Sequence, residues 1–126
     1  MIKITERGWP GHFILGHKCM YHRNTLIESA NDRVIVSTVG ALFLDNRKKM
    51  EEIGVNRFYE TMVFGAHQVG EYIEANVRDE RGFDSPWAIG KEEVETYSGR
   101  IDLLADDMHE TVVKEFIHKL KAAERG

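Results

Sequence analysis

At 126 residues the chain is sized for one domain, residues 1–126, large enough to bury a core without metal or disulfide staples. Hydrophobic residues at 42% and charged residues at 30% describe an ordinary globular composition, and the net charge of -4 argues against a duplex nucleic acid partner, which needs many cations on one face. The single cysteine, Cys19, excludes an internal disulfide and fits a cytoplasmic setting, while no apolar run is long enough to span a membrane and the first seven residues lack a signal peptide's apolar stretch.

Ile2 and Ile4 alternate with Lys3 and Thr5 in a first strand, which Gly8-Trp9-Pro10-Gly11 breaks. His12 to Leu15 reads as a second short strand and His17 to His22 as a polar connection. Arg23 to Glu28 and Arg33 to Gly40, both rich in β-branched residues, flank Ser29-Ala30-Asn31-Asp32, the pattern of a hairpin with a four-residue loop. Val34, Val36 and Thr38 would face one side and Ile35, Ser37 and Val39 the other. A strand apolar on both faces belongs in the centre of a covered sheet.

Asp45 to Ile53 suits a helical turn or ordered loop. Arg57 to Phe64 has high strand propensity. Gly65 to Gly70 reads as a turn, Tyr72 to Val77 as an antiparallel strand, Arg78 to Pro86 as a loop, and Trp87 to Ile89 as a return to the sheet. Leu104, Met108, Val112, Phe116 and Leu120 recur every four residues, widened by Ala105, Val113 and Ile117, and predict a helix over about 104–123. Its early acids and late lysines complement the helix dipole. The expected class is α+β: a mainly antiparallel β-sheet or partly closed barrel over residues 2–89, with one long C-terminal amphipathic helix.

Three constellations bear on chemistry. His12, His17, Cys19 and His22 offer soft metal ligands, but their spacing matches no standard zinc pattern, so no cofactor and no metal is expected. Cys19 beside His17 or His22 resembles a nucleophile with a base, yet no orienting third group is evident, and the chain carries no familiar nucleophile elbow or phosphate loop. The third set is basic and aromatic: Arg23 and Asn24, Arg57 and Tyr59, then Arg78, Arg81, Phe83 and Trp87. An arginine fork grips phosphate oxygens, and stacking on an aromatic ring is worth about 1–3 kcal/mol per base. The alternative for the same residues is surface pairing of Arg23 and Arg57 with Glu28 and Glu60, with the rings in the core.

Four strings, Gly8-Trp9-Pro10-Gly11-His12-Phe13, Arg23-Asn24-Thr25-Leu26, Val36-Ser37-Thr38-Val39-Gly40 and Asn56-Arg57-Phe58-Tyr59-Glu60-Thr61-Met62, resemble a compact phage-encoded family, the Thoeris anti-defence sponges of the first type. The resemblance implies a protein that is not an enzyme and sequesters a small anionic nucleotide ligand, a cyclic ADP-ribose isomer or also a cyclic oligonucleotide, in the host bacterial cytosol. It further implies a homodimer or hexamer, for which the long helix offers an isologous contact. By the same resemblance Arg23 and Arg57 would hold phosphate, and Tyr59, Phe83 and Trp87 would stack on base or ribose. Trp9 and Asn24 would close the pocket, and Asp84 and Ser85 would reach ribose hydroxyls. His22 stands where the family carries a second basic residue, which would make charge there depend on pH. Two other classes stay open: a small phage protein that blocks a host protein, and a metal- or cysteine-dependent enzyme.

Overall fold

A computed structural model describes residues 1–8, 18–43, 50–81, 87–97 and 99–125. Six strands, β1 (Lys3–Glu6), β2 (Cys19–Glu28), β3 (Arg33–Leu42), β4 (Tyr59–Val69), β5 (Tyr72–Glu80) and β6 (Trp87–Ile89), precede two helices, α1 (Lys91–Thr96) and α2 (Ile101–Arg125). The strands form one antiparallel sheet in the order β1-β2-β3-β4-β5, with β6 also on β4. It is an open sheet rather than a barrel. β5 and β6 share one edge of β4, β6 along Tyr59–Thr61 and β5 from Phe64 onward.

The hairpin at the centre follows from its turn chemistry. Ser29 Oγ accepts from the Asn31 and Asp32 amides, Ser29 N donates to Asp32 O at 2.8 Å, and Asp32 Oδ1 accepts from Arg33 N. The register it sets, Glu28↔Arg33 through Thr25↔Val36 to Tyr21↔Gly40, places Val34, Val36 and Thr38 on the face that carries α2. Ile35, Ser37 and Val39 fall on the other face, and every residue from Val34 to Leu42 is buried. The central strand is covered on both sides, as its composition requires.

On the helix side the core divides in two. Ile27, Val34, Val36 and Val63 pack against Val112, Val113, Phe116 and Leu120, joined by Trp87 and Ile117. Tyr21, Ala41, Tyr59 and Ile89 pack around Ala105, with Leu104 and Met108 alongside. The apolar stripe of α2 is thus spent on the chain's own sheet. Gly40 lies directly beneath the Tyr59 ring, where a Cβ would collide with the ring carbons and stand 2.9 Å from Phe58 O. Gly40→Ala is therefore expected to cost about 1–3 kcal/mol through overpacking, read as a lower urea midpoint.

Several boundaries differ from the sequence reading. Cys19 to His22 is not a connection but the start of β2, because Cys19 pairs with Leu42 and Tyr21 with Gly40. Gly65 to Gly70 is not a turn: β4 runs to Val69, and only Gly70 and Glu71 turn the chain. Gly65 answers to a close approach instead, since a Cβ there would meet the Asp79 carboxylate beside the bulge between Phe64 and Ala66. Arg78 to Glu80, read as loop, continue β5. Glu51 bridges to Leu42, so Met50 to Ile53 form no helical turn, and α1 was not anticipated. α2 begins three residues earlier and ends two later than the expected range of 104–123. The strand expected over His12 to Leu15 lies outside the described residues.

Candidate functional site

Between the two apolar clusters under α2 runs a belt of polar side chains. His109 is fully buried in the middle of the helix's inward stripe, with Nε2 2.7 Å from Thr25 Oγ1 and Nδ1 2.6 Å from Thr38 Oγ1. Thr38 Oγ1 is 2.6 Å from Thr61 Oγ1, and Thr25 donates to Glu6 Oε2 at 2.8 Å. These distances assign every proton. Thr25 has one hydrogen and gives it to an anion, so it accepts from His109 Nε2–H. The neutral ring then accepts at Nδ1 from Thr38, and Thr38 accepts from Thr61. Burial, and then the Arg23 charge, depress the imidazole pKa to about 4, which keeps it neutral.

Arg23 closes the belt at its open end. Its Nε and Nη2 donate to Glu6 at 3.2 and 2.9 Å, Nη2 also reaches Glu110 at 2.7 Å, and Nη1 lies 3.8 Å from Asp106. Burial acts to raise the Glu6 carboxyl, but the bonds from Arg23 and Thr25 hold it below its ordinary value. Tyr21 donates to Asp106 at 2.5 Å and Tyr59 to Asp102 at 2.7 Å, and their rings meet edge to face at 5.7 Å. The belt is a docking device: strands β2, β3 and β4 each hold part of α2 through directed hydrogen bonds, and Glu6 of β1 holds Thr25 and Arg23 in place.

The opposite face of the sheet is also polar at its centre. Strand alternation places Asn24, Ser37 and Met62 in one row and His22, Val39 and Glu60 in the next. Asn24, Ser37 and Glu60 are all buried. Arg57 Nη1 donates to Glu60 Oε1 at 2.6 Å and keeps about a third of its side chain exposed. His22 Nε2 lies 2.7 Å from Cys19 O, and burial lowers its pKa. Arg7, one residue past β1, donates its backbone N to Asn24 O at 2.6 Å and extends the β1–β2 ladder by one pair. Glu6 points to the α2 side, so Arg7 enters this second face.

The nine residues expected to bind ligand are distributed accordingly. Arg23 and Arg57 stand on opposite faces and are not brought together; each pairs with carboxylates, Arg57 with the expected Glu60 but Arg23 with Glu6 and Glu110 rather than Glu28. Glu28 pairs with Arg33. Tyr59 is 1% exposed with its hydroxyl bonded, and Trp87 packs against the Val36–Phe116 cluster, so both rings serve the core here. Asn24 shares the second face with Arg57. Trp9, Phe83, Asp84 and Ser85 lie outside the described residues, as do His12 and His17. Cys19 is buried, and desolvation raises its thiol pKa to about 11, the reverse of what a nucleophile needs. Among the described residues no group of three or more His, Cys, Asp and Glu is placed to hold a metal.

A separate groove of about 390 Å³ lies between Met50–Phe58 and α1, floored by Met50, Phe58 and Val94. Glu51, Glu52 and Glu95 outnumber Lys91 around it, which disfavours an anion. Sequence reasoning missed His109 and Arg7. His109 was legible as a ring nitrogen carrier at the centre of an apolar stripe, four residues after Ala105 and three before Val112. Arg7 carried no such signal. No family model, curated protein or solved structure matches this chain.

Proposed function

We propose that this protein is a non-enzymatic binder that sequesters a small cyclic nucleotide signal, a cyclic ADP-ribose isomer or a cyclic oligonucleotide, on the sheet face opposite α2. One observation carries the reading. Three of the strings that resemble the sponge family, far apart in sequence, stand level on adjacent strands and set Asn24 beside Ser37 beside Met62 on that face. Residues that converge on one patch of a sheet are what a shared binding surface requires. That patch combines buried amide and hydroxyl groups with the partly exposed guanidinium of Arg57. The inert Cys19 thiol also favours binding over cysteine chemistry. In this reading the protein acts in the host bacterial cytosol as a homo-oligomer and lowers free signal by mass action.

Titration calorimetry with cyclic ADP-ribose isomers and cyclic oligonucleotides tests the proposal. Arg57→Ala is expected to weaken binding by roughly 1.5–3 kcal/mol, the usual value of a charge-assisted hydrogen bond. Binding of none of these nucleotides by the native chain overturns it.

A second reading has its own support. β4 extends beyond the end of β3 with β5, and this arm exposes Val69, Tyr72 and Val77 at 42%, 71% and 69%. Such apolar exposure suits a small protein that blocks a host protein. Heating the protein purified from infected cells separates the two: a sponge releases an intact nucleotide, a blocker none.

A further inference from the structure

Arg7 carries a guanidinium nitrogen on the second face, Nη1, that is buried without a hydrogen-bond partner among the described residues. By contrast Arg23 has Glu6, Glu110 and Asp106 around it, Arg57 has Glu60, and Arg81 has Asp32 and Asp79. Leaving a buried charged donor unpaired costs more than a neutral one, and a native chain tolerates this chiefly where something else supplies the acceptor. Arg7 stands in the row of Asn24 and Ser37, both buried, beside the row of Glu60, to which Arg57 is paired. Arg7 lies one residue past β1 and is followed by Gly8 at φ +68°.

We infer that Arg7 is the anion-holding residue of the second face: its guanidinium takes a phosphate or pyrophosphate oxygen of the ligand, with the polar side chains of Asn24 and Ser37 beside it. Arg23 is then a positioning residue for α2 and not the phosphate anchor. The ligand class, a phosphorylated nucleotide, rests on the function proposed above; the anion subsite itself does not. A guanidinium is suited to this because its planar fork matches two phosphate oxygens, which an ammonium does not.

The test uses the full chain with Arg7→Ala and Arg7→Lys, cyclic ADP-ribose as the nucleotide probe and inorganic pyrophosphate as the bare anion. Calorimetry is expected to show a tenfold to hundredfold loss of nucleotide affinity in Arg7→Ala, with Arg7→Lys between it and the native chain. Without ligand, the Tm of Arg7→Ala is expected to equal or exceed that of the native chain, because an unsatisfied donor has been removed. A clear fall in that Tm marks Arg7 as structural and overturns the inference. Unchanged nucleotide affinity in Arg7→Ala also overturns it, while leaving the sponge reading intact. If the native chain binds no nucleotide, the sponge reading fails and pyrophosphate decides. A Tm rise with pyrophosphate in the native chain that Arg7→Ala abolishes supports the subsite, and any other result with that probe overturns it.

Discussion

His109→Ala is expected to lower the unfolding free energy by about 3–5 kcal/mol, measured by urea unfolding at pH 7. The ring is fully buried between α2 and the sheet, so truncation leaves a cavity that the hydrogen-bonded strands cannot collapse to fill. It also orphans Thr25, which loses its donor, and Thr38, which loses its acceptor. His109→Leu separates the two contributions. It restores most of the volume but no partner, and is expected to remain about 1–3 kcal/mol less stable than the native chain. If His109→Leu matched the native protein, the belt would be filling space and its hydrogen bonds would contribute nothing.

Acidification is expected to remove a similar amount without any mutation. The folded chain holds His109 neutral with its pKa lowered from 6.5 to about 4, whereas the unfolded chain takes up a proton below 6.5. Stability from this group is therefore complete above pH 6.5 and lost progressively as the pH falls toward 4. The total is about 3 kcal/mol, because each pH unit between the folded and unfolded values is worth about 1.4 kcal/mol. Glu6 adds to the loss in the same direction, because its pKa is held below the ordinary carboxyl value and its contribution disappears as it protonates. The groups facing His109 across the belt are Glu6 from β1, Arg23 from β2, and Asp106 and Glu110 from α2 itself. Stability measured from pH 7 down to pH 4 should fall steeply in the native chain and more gently in His109→Leu. Equal slopes would assign the acid sensitivity to carboxylates elsewhere.

The belt explains why a domain with a good apolar core places a histidine under its long helix. Apolar packing alone lets a helix slide or rotate on a sheet with little penalty, whereas a one-way chain of hydrogen bonds accepts a single register. Thr61 to Thr38 to His109 to Thr25 to Glu6 crosses β4, β3, α2, β2 and β1 in turn. Arg23 then returns from β2 to Glu110 on α2. A residue so engaged is a poor candidate for holding a ligand.

Local chemistry by itself determined the hairpin at Ser29–Asp32, the two-sided burial of β3, the antiparallel class and the existence of α2. Each rests on neighbours in sequence: turn side chains that bond their own backbone, a period of two, a period near four. Gly65 misled for the same reason, since a glycine that looks like a chain breaker was there to admit Asp79 from β5. Only the tertiary structure decided which arginines meet. Arg23 and Arg57 carry the same chemistry in the sequence, but Arg57 lies just ahead of β4, where the alternation that would set it beside Tyr59 is broken, and its guanidinium reaches Glu60 on the second face while Arg23 reaches Glu6 and Glu110 under α2. The partners that then neutralise Arg23 come from residues 17 positions before it and 87 after it, and no local pattern encodes contacts at that separation.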